Sequence, residues 1–334
     1  MKFRTLGMSG LRVSAVGLGC MGMSHAYGAP ASKREMTELL ACAVDMGYTF
    51  FDTAELYGTP EHPNHNEEML GEILSPYRNR IVLATKCGVR YARPDDTANH
   101  DIVPDSRPEV IRRSVEGSLR RLRTDHIDLY YQHRIDPHVS PEEVADIMGQ
   151  LIREGKILHW GISETGEDYL RRAHRVCPVA AVQNRYSMMA RWHERLFPVL
   201  EELSIGFVAF SPLANGLLSG CYAVGTHFDA NTDYRAVMPQ FRPGSFEQNR
   251  QLFAFINGLA ESKHATPSQI ALAWMLCKKP WIVPIPGTRQ LYRLKENIGA
   301  EDILLTDDEV KQIDTALDTM PMSEIFGGSK IIKQ

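Results

Sequence analysis

The chain has 334 residues, 43% of them hydrophobic and 23% charged, with a formal net charge of −4. This is ordinary globular composition, with apolar material for a sizeable core and no long run of like charge to support a nucleic-acid or membrane-surface role. The six cysteines are dispersed and form no C-x-x-C, which argues against a disulfide scaffold or a zinc–cysteine site. With a start, MKFRTLGMSG, that lacks a signal-peptide core, the chain reads as cytoplasmic.

Lys2 to Ser14 reads as a β-hairpin around the Gly7–Gly10 turn. A repeating pattern follows: a short apolar run, a loop, then an amphipathic helix. The runs are Ala15–Gly19, Thr49–Asp52, Ile81–Lys86, Ile127–Gln132, Ile157–Ser163, Val179–Gln183, Gly206–Phe210 and Trp281–Ile285. Four helix starts carry a capping box: Ser32 with Glu35, Ser140 with Glu143, Thr266 with Gln269, and Thr306 with Glu309. Apolar strands alternating with helices imply a parallel sheet covered on both faces. Eight such units favour a single α/β domain over 1–334, a closed (β/α)8 TIM barrel with an N-terminal hairpin. The long connections Cys87–Arg107 and Ser211–Ser245 both follow strands, which places them at the catalytic face, and the tail after Pro321 is expected over the same mouth.

The segment Gly17 to Gly22, GLGCMG, spells a dinucleotide-binding fingerprint. That fingerprint needs its last glycine in the opening turn of a helix, and here the helix is expected only near Lys33. Glycines that clear room at the top of the first strand are the better reading.

Polar residues gather at strand ends instead. The second strand ends at Asp52 and its loop carries Tyr57; the third ends at Lys86; the fourth runs into His133. Each taken singly is an exposed loop charge or a histidine satisfied in the core, but all four at one barrel mouth have complementary chemistry. A tyrosine is a reluctant proton donor whose anion needs help, and an adjacent lysine cation supplies it. An aspartate keeps that cation charged and oriented, and a neutral imidazole hydrogen-bonds a carbonyl oxygen. Together they suit protonation of an oxygen as a hydride arrives at the adjacent carbon.

With these segments in hand, FDTAELYG, LATKCG and DLYYQHR, the chain strongly resembles the aldo-keto reductase superfamily from the hairpin to about Asn297. The resemblance implies a catalytic tetrad of Asp52, Tyr57, Lys86 and His133, with Tyr57 as general acid, Lys86 and Asp52 as its tuning pair, and His133 orienting the carbonyl. It also implies a cofactor site. Ser163, Glu164 and Gln183 correspond to residues that hold the nicotinamide carboxamide, although Glu164 departs from the commoner asparagine. Phe210 stands where a ring, commonly a tyrosine, stacks under the nicotinamide. Ser211, Pro212, Leu213 and Gly216 follow the pyrophosphate, and Gly22 and Met23 complete the set.

The segment PIPGTRQLYRLKENIGA resembles the adenosine clamp, a helix starting just after Gly287 whose free amides face an anion. Thr288, Arg289, Gln290 and Arg293 would surround the 2′-phosphate, with Glu296 and Asn297 at the adenine. Two arginines favour NADPH over NADH as the cofactor, because the guanidinium fork matches a phosphate. The plain alternative for this segment is a surface helix with solvated arginines.

The resemblance implies a reductase of small aldehydes or ketones, with no nucleic-acid or membrane partner. From loop position alone, Met23, Tyr27, Tyr91 and Trp192 are candidates for an apolar substrate pocket, and Arg90, Arg93, Arg235 and Arg242 are loop arginines able to attract an acidic substrate. Potassium-channel β subunits resemble the same superfamily and bind NADPH while acting mainly as partners, so a regulatory subunit is the rival; the complete tetrad and the short N-terminus favour an enzyme. A hydrolase using Asp52 and His133 leaves the arginine-bearing segment unexplained, and no G-x-S-x-G is present. The cluster EHPNHNEE lacks metal-site spacing and reads as a loop entering a helix.

Overall fold

The computed structural model describes residues 1–92 and 101–327. A hairpin of β1 (Phe3–Leu6) and β2 (Leu11–Ser14) is followed by β3 (Leu18–Gly19), α1 (Lys33–Asp45), β4 (Phe50–Asp52), α2 (His65–Leu74) and β5 (Val82–Cys87). Next come β6 (Val89–Tyr91), β7 (Ile102–Pro104), α3 (Pro108–Leu122), β8 (Ile127–Gln132), α4 (Pro141–Arg153), β9 (Ile157–Ser163), α5 (Glu167–Val176) and β10 (Ala181–Arg185). The chain continues through α6 (Phe197–Glu202), β11 (Gly206–Phe210), α7 (Pro243–Gln248), α8 (Arg250–Ser262), α9 (Pro267–Lys278), β12 (Ile282–Pro284), α10 (Leu291–Gly299) and α11 (Asp307–Thr319).

Strands β3, β4, β5, β8, β9, β10, β11 and β12 pair in that order, all in parallel. The two ends meet where Gly19 bridges Gly287 and the Gly17 N–H donates to Pro284 O at 2.9 Å. This is the (β/α)8 architecture expected from the alternation. The first and last strands are shorter than their apolar runs. Pro284 and Pro286 have no N–H to give a ladder, and the Ala15 N–H is taken by Lys2 O at 2.9 Å. All four capping boxes form, each hydroxyl accepting from the N3 amide while the N3 side chain returns to the cap.

The glycine segment serves closure. A Cβ on Gly17 would lie 2.7 Å from the Phe50 ring, and one on Gly19 would lie 2.7 Å from Ile285 O. The helix α1 begins at Lys33, far past Gly22, as the barrel reading requires.

Side-chain parity along the strands sets both core and site. Phe51, Leu83, Tyr130, Ile162, Val182, Phe207 and Ile282 point outward into the layer under the helices. Phe50, Ala84, Leu129, Tyr131, Ala181, Val208 and Val283 point inward and pack with Leu6, Leu11 and Val13 of the hairpin, which plugs the bottom. Because strand side chains alternate with period two, the next inward positions fall at the top of the barrel. Those positions are Asp52 beyond Phe50, Lys86 beyond Ala84, His133 beyond Tyr131, Gln183 and Arg185 beyond Ala181, and Phe210 beyond Val208.

Two elements differ from the sequence reading. The connection after β5 is not simply a loop: β6 and β7 form an antiparallel ribbon, with Val89, Ile102 and Val103 buried. The helix expected just after Gly287 starts at Leu291, since Thr288 Oγ1 accepts from the Gln290 N–H at 3.0 Å and closes a turn first. Among the described residues no helix is long and apolar enough to cross a membrane.

Candidate active site

Lys86 and Asp52, 1% and 3% exposed, face each other across neighbouring strands with Nζ to Oδ1 at 2.5 Å. Lys86 also donates to Thr53 O at 2.7 Å, and Gln183 Nε2 donates to Asp52 Oδ2 at 2.7 Å. Burial works against the Lys86 ammonium, yet the Asp52 carboxylate and the Tyr57 oxygen outweigh it and raise its pKa. Burial also raises the Asp52 carboxyl, opposed by Lys86 and by the Gln183 hydrogen bond. Lys86 is thus held as a cation beneath Tyr57, with Nζ 4.9 Å from the ring centroid.

Tyr57 stands edge-on to His133, their centroids 5.7 Å apart, and stacks against His25 at 5.9 Å. Burial pushes the His133 imidazolium well below its ordinary 6.5, and Arg134, Lys86 and His25 push the same way. The ring is therefore neutral near pH 7. Its Nδ1 is buried without a hydrogen-bond partner among the described residues.

Asp52, Tyr57 and His133 open onto a cavity of about 540 Å³ across the barrel mouth, with Lys86 just beneath its floor. At the near end lie Ser163, Gln183 and Phe210, along one side Ser211, Pro212, Leu213 and Gly216, and beside Arg289 lies Gly22. That side carries a run of left-handed backbone, with Ser211, Ala214, Asn215 and Gly216 at φ 51°, 50°, 60° and 97°. Non-glycine residues held there cost energy and concentrate at ligand sites. The far end is formed by Gly287, Thr288, Arg289, Gln290, Arg293 and Asn297. Arg289 donates to Gly22 O and Ala29 O, at 2.5 and 2.8 Å, leaving Nη2 buried without a partner. Ser268 Oγ and Asn297 Oδ1 are also buried without partners and line this end. Arg293 rests on Glu296 and the Cys221 sulfur.

A model of the aldo/keto reductase family matches residues 15–318. The chain belongs to the aldo/keto reductase family. A protein of Glycine max named a probable aldo-keto reductase 1 is 37% identical over 325 residues, covering 97% of this chain and 90% of that one. The crystal structure of a thermostable aldo-keto reductase in complex with the inhibitor epalrestat matches with a TM-score of 0.74 at 30% identity, covering 94% of this chain and 99% of that one. A glycerol dehydrogenase of Gluconobacter oxydans matches with a TM-score of 0.85 at 28% identity over 98% of each chain. As an aldo/keto reductase, the protein is an oxidoreductase of small molecules that works with a nicotinamide cofactor.

Three residues expected at the reductase's cofactor do not line the cavity. Met23 is buried beneath it. Glu164 has outward strand parity: its Oε1 accepts the Arg185 backbone N–H at 2.8 Å and lies 3.9 Å from His193 Nε2. Glu296 turns to Arg293. Of the expected pocket aromatics, Tyr27 and Tyr91 line the cavity, whereas Trp192 lies outside it and is 44% exposed. Arg235 reaches the cavity but is paired with Asp233 at 2.5 Å; Arg90 and Arg242 lie outside it, and Arg93 lies outside the described residues. Phe326 of the tail covers the mouth, tied down by its N–H to Gln240 Oε1 at 2.8 Å.

Sequence reasoning missed His25, Arg134, Asn215 and Arg185, all on the cavity wall. Arg185 was within reach: it stands two residues beyond Gln183, so period-two alternation puts both on one face.

Proposed function

We propose that the protein is an NADPH-dependent reductase of aldehydes or ketones in which Tyr57 is the general acid. The observation that carries this reading is one cavity with two chemically distinct ends. Tyr57 sits over a buried Lys86–Asp52 pair beside a neutral His133 at one end, and unpartnered polar atoms surround Arg289 at the other.

The far end suits a phosphorylated nucleoside. Arg289 Nη2 is a free donor, Asn297 Oδ1 a free acceptor, and Arg293 can exchange its contacts with Glu296 and the Cys221 sulfur for a 2′-phosphate. Two such guanidiniums favour NADPH over NADH. Ser211 to Gly216 would follow the pyrophosphate, Phe210 offers a flat face to the nicotinamide, and Ser163 and Gln183 stand near its carboxamide. Glu296 acts through the arginine it holds, Arg293. NADPH, when bound, supplies the hydride.

The chain's own residues handle the proton and the oxygen. His133, neutral, hydrogen-bonds the carbonyl oxygen and draws density toward it. Tyr57 delivers its hydroxyl proton to that oxygen as the carbon is reduced, and the Lys86 cation stabilises the phenolate left behind. Asp52, Thr53 O and Gln183 keep Lys86 charged and in place.

NADPH absorbance with an aldehyde panel tests this, run against NADH for cofactor preference. Tyr57→Phe is expected to lower turnover by about 10²–10⁴-fold while NADPH binding is kept. Near-normal turnover in Tyr57→Phe would remove the proposed acid. Tight NADPH binding with negligible wild-type turnover would instead make the protein a cofactor-binding subunit.

A further inference from the structure

The cavity holds a cation that the proton-transfer machinery does not use. Arg185 is 4% exposed, and its Nε is buried with no hydrogen-bond partner among the described residues. Among the described residues its one side-chain hydrogen bond is long, Nη1 to Asn215 Oδ1 at 3.4 Å, and the guanidinium lies 5.0 Å from the Phe210 ring centroid and 5.8 Å from that of Phe326. The nearby acid, Glu164, spends its Oε1 on the Arg185 backbone N–H. Arg134, half-buried next to it, donates to His133 O at 2.6 Å and Ser163 Oγ at 3.2 Å. Among the described residues no carboxylate lies within 4.0 Å of either guanidinium. Other arginines on this cavity are held differently: Arg235 by Asp233, Arg293 by Glu296, and Arg289 in part by two backbone carbonyls.

A buried guanidinium without an anion is costly, and a protein keeps one where a ligand brings the charge. The position identifies that ligand. Arg185 follows Gln183, the residue on Asp52, along the same inward face, and Arg134 directly follows His133. Both therefore stand at the end where the carbonyl is reduced, away from Arg289 and Arg293. Leu56, Val89 and Ile102 give the same cavity apolar lining.

We propose that Arg185, assisted by Arg134, binds a carboxylate on the substrate, so that the enzyme prefers aldehydes or ketones carrying a negative charge beyond an apolar spacer. The proposal rests on the reductase reading and adds the substrate class to it. The guanidinium fork can give a carboxylate two parallel hydrogen bonds, including one from the Nε that has no partner. Asn215, Gln240 and Phe326 steady the pocket: Gln240 donates to Asn215 Oδ1 at 3.2 Å and accepts the Phe326 N–H.

The test compares 4-carboxybenzaldehyde with its uncharged methyl ester, methyl 4-formylbenzoate, in the wild type, Arg185→Gln and Arg185→Lys. The wild type is expected to favour the carboxylate. Arg185→Gln should lose about 10–100-fold in kcat/KM on it, mostly in KM, and change less than about threefold on the ester. Arg185→Lys should restore part of the loss. NADPH affinity, by fluorescence titration, and the melting temperature should be nearly unchanged. Equal losses on both aldehydes would overturn the proposal. So would weakened NADPH binding with unchanged discrimination, which assigns Arg185 to the pyrophosphate. A second arm titrates 4-(hydroxymethyl)benzoate into NADP-loaded protein by calorimetry. Binding that Arg185→Gln abolishes, in a wild type that turns over no aldehyde, would sustain the anion site while the reductase reading falls. No binding together with no preference for the charged aldehyde would refute the anion site itself.

Discussion

Replacing Lys86 by Met tests whether the buried pair is held by mutual compensation. Lys86 gives one of the two side-chain hydrogen bonds on Asp52, at 2.5 Å, and the bond to Thr53 O at 2.7 Å; Gln183 gives the other at 2.7 Å. Removing Lys86 therefore leaves a carboxylate that is 3% exposed with only an amide for support. Breaking a buried ion pair from one side costs about 3–5 kcal/mol, which for a domain of this size lowers the melting temperature by about 4–7 °C. The loss depends on pH in a definite sense. Burial already raises the Asp52 carboxyl above its ordinary 3.8, and losing the lysine raises it further. A group whose native pKa is raised lends stability below its unfolded pKa and loses it as pH climbs through the native value. Lys86→Met should thus lie nearest the wild type at pH 5 and furthest from it at pH 8. In the wild type Lys86 itself, raised above 10.5, contributes stability that is lost only in strong alkali. Urea unfolding at the two pH values reads both gaps. The double variant Asp52→Leu/Lys86→Met should recover most of the stability while remaining inactive. A Lys86→Met protein as stable as the wild type at pH 8, or an equal gap at both pH values, would refute the reasoning.

Two further outcomes follow from the same geometry. Glu55, in the motif that carries Tyr57, is pushed up to about 7 by burial and then by Glu67, so ionising it weakens the fold as pH rises through that value. Glu55→Gln should raise the unfolding free energy from urea titration at pH 8 by about 1–2 kcal/mol, discounted for its remaining solvent contact, and leave it unchanged at pH 5; the reverse order would contradict the assignment. Gly19→Ala would place its Cβ 2.7 Å from Ile285 O at the barrel seam, and should cost about 2–3 kcal/mol by thermal unfolding; a neutral result would mean the seam is not close-packed.

Legibility in the sequence followed the range of the interactions. The helix starts at Ser32, Ser140, Thr266 and Thr306 were readable because a capping box is closed by residues three apart. The strand-end residues Asp52, Lys86 and His133 were readable because period-two alternation carries them to the barrel mouth. The start of α10 was not readable: Gly287 looks like a helix entry, but a side-chain turn at Thr288 intervenes. The ribbon of β6 and β7 was missed because each strand has three residues, too few for a period-two alternation to show. Glu164 was placed at the cofactor by the resemblance, although one step along the strand from Ser163 reverses the face.

The order of apolar runs and helices by itself determined the (β/α)8 class, since parallel strands covered on both faces leave few ways to close eight units. Motif spacing likewise singled out Asp52, Tyr57, Lys86 and His133, the residues proposed to handle the proton. Only the tertiary structure decided which polar atoms remain unsatisfied once the barrel closes. Arg289 and Arg293 look alike in sequence, yet one keeps a bare Nη2 and the other leans on Glu296. Arg185 reads as one more charge in QNRYS until its acid neighbour is seen bound to the Arg185 backbone N–H. Whether a buried charge is paired depends on side chains arriving from distant strands, and no local pattern encodes that.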